Sequence, residues 1–374
     1  MTSTGSGDVA TLGARLSRRR FLGLAGATAA STFLAPRAGA QPRATTGAID
    51  MHAHYFPHAY LESIARDGGL PGFSVDMSAA DGPTLRGGGA VTVVDDRYWN
   101  LEKRLDAMQK AGVQMQALSL TMPMPHLAAG ERAAALATVF NDSVIDACRA
   151  YPERFVGCIA LPLRNVAAAL AELRRASRAP AMRAVYLPTN INGVELSDST
   201  LDPLYEAVQT LGLPIILHPH PPVVGLDRMQ RFYLPNLLGN PFDTTLAAVQ
   251  LIAGGVLDRF PRLTVVLPHA GGAFPFLYGR VQKGQQVIPD LATVAERPVA
   301  EYVRRFYYDT ITHSADALAY VVQVAGADRV LLGSDYRFNM GDDEPRAVVD
   351  RLPITAADRE RILFANARTL LRMP

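Results

Sequence analysis

The chain has 374 residues, of which 49% are hydrophobic and 19% are charged, and its formal net charge is +2. This composition excludes global disorder, and the small net charge argues against nucleic acid as a partner. Two cysteines, Cys148 and Cys158, are too few for a disulfide scaffold and are expected to be structural. The length suits one large α/β barrel or two smaller domains.

Residues 1–40 have the pattern of an export signal. Residues 18–22 read Arg-Arg-Arg-Phe-Leu, an apolar run covers residues 21–34, and residues 38–40 are small. This order is typical of secretory signals, and the paired arginines favour the twin-arginine pathway. The alternatives are a basic tail on a cytoplasmic protein or a membrane anchor, but a span needs about 20 apolar residues. The mature chain, residues 41–374, is therefore expected to be periplasmic or extracellular, with no membrane span.

Behind this signal, short apolar runs alternate with amphipathic stretches. Apolar runs without polar alternation are typical of parallel strands that are covered on both faces. The predicted strands are Ala48–His54, Val113–Leu118, Phe155–Ala160, Ala184–Leu187, Pro214–His218, Leu263–Leu267, Phe306–Asp309 and Arg329–Ser334. The predicted helices between them include Leu101–Lys110, Arg132–Ala150, Val166–Ala176, Pro203–Leu211, Thr244–Ala253 and Ala315–Val324.

Eight strand–helix units predict an α/β fold, the (β/α)8 TIM barrel. The Gly- and Pro-rich stretch Gly68–Gly89 predicts an insertion after the first strand, as a lid or a small hairpin. An open doubly wound sheet is the alternative, but no Gly-x-Gly-x-x-Gly motif follows an early strand. The sequence shows no internal repeat and no linker, so residues 41–374 are expected to form one barrel.

Polar residues that can bind a metal stand at the ends of several of these strands. His52 and His54 end the first strand, His218 ends the fifth, and His269 and Asp335 follow the sixth and the eighth. His-x-His places both imidazoles on one side of a strand, and the carboxyl ends of barrel strands meet at the face where active sites lie. We therefore predict a metal site in which a third histidine and an aspartate complete a set of nitrogen and oxygen donors. Such a set suits zinc with an open position for water.

Other polar residues are weaker candidates. His220 lies two residues beyond His218 and is expected to contact substrate or to support the site. His313 follows the seventh strand and is a further candidate for facing the site. His58 and His126 are expected in loops or at helix edges, exposed to solvent. Asp50 is interpreted as an ordinary strand residue.

Six stretches of the chain carry a family resemblance: Asp50–His54, Gln109–Ser119, Tyr151–Gly157, Leu217–Pro219, Pro268–Phe276 with Gly279-Arg280 beyond it, and Asp328–Tyr336. In order and spacing they resemble the amidohydrolase superfamily, and within it the branch like aminocarboxymuconate-semialdehyde decarboxylase. The resemblance covers nearly all of residues 48–372. It implies a (β/α)8 barrel that binds one divalent metal. Zinc is the expected metal, and manganese is the alternative.

The resemblance also implies roles for individual residues. The implied metal ligands are His52, His54, His218 and Asp335. His269 is implied as the acid/base residue beside a metal-bound water. Arg280 matches an arginine that, in family dimers, reaches into the neighbouring subunit's site and binds the substrate carboxylate. A homodimer is expected on that ground.

The chain departs from the family pattern at three positions. Thr92 stands where the named decarboxylase has an arginine, His220 stands where the family has a tryptophan, and Arg337 stands where it has a proline. Arg97 and Arg337 are candidates for replacing the carboxylate-binding arginine, and His220 and Arg337 are predicted to bind substrate. The resemblance therefore carries the branch and the metal site rather than one particular substrate.

The expected function is a metal-dependent carboxy-lyase that removes CO₂ from a conjugated or aromatic carboxylic acid. The metal lowers the pKa of its bound water from 15.7 toward ~7, and His269 exchanges a proton with that water or with the substrate. The alternative is a metal-dependent hydrolase of a lactone, ester or amide, in which Asp335 takes the proton from the water. A metal-binding protein without catalysis is the third reading. Arg280 favours the decarboxylase, because an anionic substrate needs a cationic partner.

Overall fold

The computed structural model describes residues 47–87, 90–292 and 294–373. The export signal predicted over residues 1–40 lies outside the described residues. The described strands are β1 (Ala48–His54), β2 (Phe73–Asp76), β3 (Thr84–Gly87), β4 (Ala90–Val93), β5 (Val113–Ser119), β6 (Phe155–Ile159), β7 (Met182–Pro188), β8 (Asn190–Ile191), β9 (Val194–Glu195), β10 (Ile215–His218), β11 (Val265–Leu267), β12 (Phe306–Asp309) and β13 (Val330–Leu331).

The α-helices of the same residues surround the strands. They are α1 (His58–Arg66), α2 (Leu101–Ala111), α3 (Gly130–Ala150), α4 (Val166–Ala176), α5 (Asp202–Leu211), α6 (Asn240–Ala253), α7 (Val256–Arg259), α8 (Phe274–Val287), α9 (Pro289–Ala292), α10 (Val299–Val303), α11 (Ala315–Ala325), α12 (Arg346–Asp350), α13 (Ala356–Glu360) and α14 (Asn366–Leu370). None of the described helices is both long enough and apolar enough to cross a membrane.

Eight parallel strands form a closed barrel. Their order is β1-β5-β6-β7-β10-β11-β12-β13. The ring closes between β1 and the chain after β13, where Met51 N donates to Leu332 O (2.8 Å) and Asp335 N donates to His52 O (2.9 Å). With helices packed around this sheet, the fold is the predicted (β/α)8 TIM barrel.

The sequence of β1 explains how the barrel presents polar side chains at its centre. All seven residues of β1 are buried, and side chains alternate between the two faces. Ile49 and Met51 therefore share one face, while Asp50, His52 and His54 share the other. Because the second group meets polar residues from other strands, it is the face that points into the barrel.

The strands and helices follow the predicted bounds closely. β1, β12 and α4 have identical bounds, and α2 ends just before Gly112, whose φ of +67° favours glycine. Two elements differ by four residues: α6 begins at Asn240 rather than at the predicted Thr244, and the eighth strand, predicted as Arg329–Ser334, is observed as Val330–Leu331. It ends early because Gly333 N donates to Thr310 Oγ1 and Ser334 N donates to the Asp50 carboxylate, so side chains replace the strand ladder.

A three-stranded antiparallel sheet, β2-β3-β4, stands between β1 and α2 and includes much of the stretch Gly68–Gly89. Leu85 of this sheet is buried, and Phe73 packs against the core. Phe73, Leu85 and Thr92 also line a cavity that His218 and Asp335 share. The small sheet thus forms one wall over the carboxyl ends of the barrel strands.

Candidate metal centre

Four side chains meet inside the mouth of the barrel. His52 and His54 come from β1, His218 ends β10, and Asp335 lies in the turn after β13. One donor atom from each of the four lies within 4.8 Å of all the others, and all four residues are buried. The structure therefore brings together the four residues that the family resemblance implied as ligands, and they form a site for a divalent metal.

The distances within this group suit one cation. His52 Nε2 lies 3.1 Å from His54 Nε2, and Asp335 Oδ1 lies 2.9 Å from His54 Nε2 and 3.6 Å from His52 Nε2. Two metal–ligand bonds of about 2.0–2.1 Å, at angles of roughly 90–110°, place their donor atoms roughly 2.9–3.4 Å apart. The donor set of three imidazoles and one carboxylate is one that zinc and other divalent transition metals accept.

Hydrogen bonds orient the imidazoles toward the centre of the group. His52 Nδ1 donates to Asp309 Oδ2 (2.8 Å), and His218 Nδ1 donates to Pro219 O (2.9 Å). These partners fix the tautomer in which Nε2 carries the lone pair. In the neutral ring, each Nε2 is then free to bind a metal.

Asp309, which the sequence analysis did not select, is the carboxylate that supports this arrangement. Besides the proton of His52, it accepts hydrogen bonds from the backbone N–H groups of His269 (3.0 Å) and Ala270 (2.8 Å). It ends β12, so the same criterion that selected His218 applied to it: a polar residue at the carboxyl end of a predicted strand. Asp309 thus joins a metal ligand to the segment that carries His269.

Replacing Asp309 with asparagine is expected to weaken metal binding about tenfold to a hundredfold, because the imidazole of His52 loses its anionic hydrogen-bond partner. Titration of the metal-free protein against a competing chelator measures the change. Asp316→Asn, an exposed position on α11, is the matched control and should keep the wild-type affinity. Equal affinities for Asp309→Asn and the wild type would contradict the supporting role.

The electrostatics favour the metal-binding protonation states. Burial lowers the pKa of His54 to about 4 and lowers that of His218 well below its usual value, so both rings are neutral at pH 7. Burial opposes ionisation of Asp335, but the hydrogen bond from His54 and the charge of His52 lower its pKa. His52 differs, since the hydrogen bond to Asp309 and the nearby carboxylates outweigh burial and raise its pKa. Three of the four donors are therefore ready to bind without losing a proton.

Asp50 has a larger structural role than the sequence indicated. Its carboxylate accepts hydrogen bonds from His52 N (3.1 Å), Gln116 Nε2 (3.0 Å) and Ser334 N (3.0 Å). Burial raises the pKa of Asp50, although these hydrogen bonds act against the rise. Asp50 thereby ties β1 to β5 and to the turn that carries Asp335.

Arg104 was also missed. It is fully buried on α2, where its guanidinium donates to Gln116 Oε1 (3.0 Å) and to the carbonyl of His54. The same group lies 4.6 Å from the centre of the Tyr336 ring. Arg104 therefore holds the end of β1 against the turn after β13.

Two cavities meet at the metal group. One, of about 520 Å³, is lined by His218, His269 and Asp335. The other, of about 390 Å³, shares His269 and Asp335 and is lined by Phe276 and Tyr320. Both volumes lie in the range of small-molecule sites.

His269 stands between these cavities and beside the ligands. Its ring centre is 5.4 Å from that of His52 and 5.9 Å from that of His218. His269 and Ala270 both have positive φ values (51° and 53°), an uncommon conformation for residues other than glycine that clusters at functional sites. Burial, with the charge of His52 nearby, lowers the pKa of His269. The ring is placed to exchange a proton with a molecule in either cavity.

Two predicted substrate residues, His220 and Arg337, are not among the described residues that line these cavities. His220 is fully buried, with its ring 4.3 Å from that of His126 and its Nδ1 donating to Pro221 O. The prediction that His126 is solvent-exposed is wrong, because this contact buries it completely. Arg337 lies 3.7 Å from Asp95, which also pairs with Arg97. Substrate binding by His220 and Arg337 stays a prediction.

Arg280 and two of the remaining histidines lie at the surface, whereas the two cysteines are buried. Arg280 is exposed on α8, the helix whose Phe276 lines the smaller cavity. His313 is exposed and lines that cavity too. His58 is half exposed and pairs with Glu62. Cys148 and Cys158 are both buried and free, as expected of structural cysteines.

Comparisons with known proteins agree with this fold and identify the family. The model of the amidohydrolase family matches residues 49–373. The 2-amino-3-carboxymuconate-6-semialdehyde decarboxylase of Dictyostelium discoideum is 31% identical over 329 residues, which cover 86% of this chain and 91% of that protein. The IDCase of Metarhizium anisopliae, crystallised in its apo form, superposes with a TM-score of 0.79 at 24% identity, covering 87% of this chain and 97% of that chain.

A second solved structure contains a metal. The dihydroxybenzoic acid decarboxylase of Polaromonas sp. JS666, with bound manganese and the inhibitor 2-nitroresorcinol, superposes with a TM-score of 0.72 at 23% identity, covering 87% of this chain and 97% of that chain. At these identities the two structures establish the shared barrel, while the family model and the Dictyostelium relative establish descent. The chain belongs to the amidohydrolase family, in the branch that includes the 2-amino-3-carboxymuconate-6-semialdehyde decarboxylases.

Proposed function

We infer that the protein is a metal-dependent carboxy-lyase that removes CO₂ from a conjugated or aromatic carboxylic acid. The observation that carries this inference is the buried group of three histidines and Asp335, with His269 beside it and both facing a cavity of about 520 Å³. The 31% identity to a decarboxylase over most of both chains supports the reaction type. The aromatic wall residues Phe73 and Phe338 suit a flat conjugated substrate.

The chain's own residues account for the proton transfer. A divalent metal held by the four ligands would supply Lewis-acid stabilisation of substrate oxygens. His269 has a lowered pKa and is neutral at pH 7, so it first accepts a proton from a substrate hydroxyl. It then donates that proton to the carbon that bears the carboxylate. A C–H bond forms, the C–C bond breaks, and its electron pair returns to the conjugated system as CO₂ leaves.

The native metal is proposed to be zinc, with manganese as the alternative. The donor set supports zinc, while the manganese in the Polaromonas structure supports the alternative. Elemental analysis of the purified protein identifies the metal. Zinc- and manganese-reconstituted samples should then be assayed for CO₂ release from 2,6-dihydroxybenzoate, 6-methylsalicylate and 5-carboxyvanillate. Hydrolysis of lactones or esters without CO₂ release from any acid would contradict the proposal.

A homodimer is proposed, with Arg280 of one subunit completing the site of the other. Apolar side chains exposed on the single chain support an interface near this helix: Phe276 is 78% exposed, Leu237 is 43% exposed and Phe242 is 40% exposed. Leu237 and Phe276 also line the smaller cavity, so a partner subunit seated on them would reach the active site.

Mixed dimers test whether Arg280 acts across the interface. The variants Arg280→Ala and His269→Ala are each expected to be inactive alone. Combined in equal amounts and allowed to exchange, they should recover about a quarter of wild-type activity, since half of the dimers are mixed and each has one intact site. Analytical ultracentrifugation confirms the dimer. No recovery in a verified mixed dimer would place Arg280 in its own subunit's site, and an active Arg280→Ala protein would place it outside both sites.

Export by the twin-arginine pathway is also proposed, on the basis of residues 18–22 and the small residues 38–40. Cell fractionation should find the shortened wild type outside the cytoplasm. A variant with Arg18→Lys and Arg19→Lys should remain inside at full length. An unprocessed wild type in the cytoplasm would favour the alternative of a basic tail.

A further inference from the structure

The larger cavity has a distinctive charge distribution. Its inner wall includes His218, His269 and Asp335, and Phe73 and Phe338 supply aromatic walls. Among the described residues that line it, Arg231 is the only arginine or lysine. The only carboxylate in the same described lining is Asp335, which the metal group uses. An anionic substrate entering this cavity would therefore meet one guanidinium from the described residues of the same chain.

The charge of Arg231 has no acidic partner within the described part of the chain. Its guanidinium instead lies over the ring of Phe232, 4.9 Å from the ring centre. The two arginines considered from sequence differ in this respect, because Arg97 and Arg337 both lie against the carboxylate of Asp95. An arginine that is already paired with a carboxylate binds a substrate carboxylate less well than an unpaired one, because it must first give up that partner.

The backbone beside Arg231 is unusual. Phe232 and Tyr233 have φ values of 60° and 59°, two consecutive residues other than glycine in the left-handed region. This conformation is unfavourable for residues with a side chain beyond Cβ, and such strain is concentrated at ligand clamps and active sites. Phe232 is 74% exposed, so burial of its side chain does not explain the conformation. The turn does bring Arg231, Phe232 and Tyr233 to the wall of the same cavity.

We propose that Arg231 binds the carboxylate of the substrate in this cavity and selects aromatic acids over the neutral rings that remain after CO₂ loss. The proposal rests on the proposed function for the identity of the substrate class. A guanidinium presents two parallel N–H groups that match the two oxygens of a carboxylate, and the neighbouring aromatic walls hold the ring. Arg231 is thus a binding residue that acts before proton transfer and lets the product leave once the charge is gone.

The test compares Arg231→Gln with Arg228→Gln, an exposed arginine three residues earlier that does not belong to the described cavity lining. Calorimetric titration of the metal-loaded protein measures the affinity for 2,6-dihydroxybenzoate, 6-methylsalicylate and 5-carboxyvanillate, and for neutral resorcinol. Arg231→Gln should weaken binding of at least one acid about tenfold or more, because a charge-assisted hydrogen bond is lost. Resorcinol should bind the wild type, Arg231→Gln and Arg228→Gln with equal affinity. The acid affinity of Arg231→Lys should lie between those of Arg231→Gln and the wild type.

With an acid that is turned over, Arg231→Gln should raise KM about tenfold while kcat changes less than about threefold. Unchanged acid affinity in Arg231→Gln, equal losses in Arg228→Gln, or equal weakening of resorcinol would overturn the proposal, as would a wild type that binds none of the acids. Acid binding that depends on Arg231 in a protein that releases no CO₂ would sustain this proposal and reject the proposed function. CO₂ release that is unchanged in Arg231→Gln would sustain the proposed function and reject this proposal.

Discussion

Asp335→Ala is expected to leave the protein with little bound metal and to lower kcat/KM by more than about a hundredfold. Asp335 is the only anion among the four ligands, and its ionised form is already favoured in the buried group. Without it, three imidazoles must hold a divalent cation in a buried site with no compensating charge. Loss of a mere supporting partner of a ligand costs about 10–100-fold, so loss of a ligand should cost more. Elemental analysis and CO₂ release measure the two effects.

Asp316→Ala is the control for the removal of an aspartate, since Asp316 is exposed on α11. It should keep one metal per chain and the wild-type rate. Thermal unfolding of the metal-free proteins tests whether Asp335→Ala still folds, because Asp335 also accepts a hydrogen bond from His54 at 2.9 Å. A folded Asp335→Ala protein with full metal content and full activity would remove Asp335 from the ligand set.

The barrel and the metal group were predictable because their signals are local. The strands of the barrel are short apolar runs, and β1 places His52 and His54 on one face through the period of two. His218 and Asp335 are distant in the chain, but each stands at or just after the carboxyl end of a predicted strand. The closed barrel alone then requires these ends to converge.

Other parts of the site depend on contacts between distant residues. His126 is buried because its ring packs on His220, a partner 94 positions away that no local pattern identifies. The wall that contains Thr92 and Arg231 exists only because the β2-β3-β4 sheet and the loop after β10 meet over the barrel mouth. Contacts of this kind between insertions leave no periodic pattern in the sequence.

Arg104 is a case in which a signal existed and was not used. It lies three residues after Leu101 and four before Met108, so it falls on the apolar stripe that faces the barrel. A charged residue on such a stripe is buried only with partners. Here those partners are Gln116, the carbonyl of His54 and the ring of Tyr336. An arginine on an apolar stripe should therefore be interpreted as a structural anchor of the site.

We propose that two arginines, Arg231 and Arg280, share the binding of an anionic substrate. Arg97 and Arg337 both lie against the carboxylate of Asp95, so either one would have to exchange that partner to bind a substrate carboxylate in place of the arginine that Thr92 replaces. Arg231 shares a cavity wall with Thr92, while Arg280 is exposed and is proposed to act in the site of a neighbouring subunit. Carboxylate recognition in this protein is then proposed to come from the loop after β10 and from the dimer partner rather than from the β2-β3-β4 sheet.

His269→Ala is expected to keep its metal and to lose about 100- to 10,000-fold in kcat, the range for removal of a general acid–base group. His269 is not one of the four residues whose donor atoms group together, although its ring lies beside them. Its removal therefore leaves the metal donors intact and takes away the group that moves the proton. Metal content and single-turnover CO₂ release should be measured on the same sample.

A second substitution separates proton transfer from positioning. His269→Gln retains a hydrogen-bonding side chain but cannot exchange protons near neutral pH, so it should be as slow as His269→Ala. His58→Ala, which removes a half-exposed histidine on α1, should keep the wild-type rate. If His269→Gln recovered most of the activity, His269 would orient the substrate and the proton would have to come from another group. If His269→Ala lost its metal as completely as Asp335→Ala, His269 would belong to the ligand set instead.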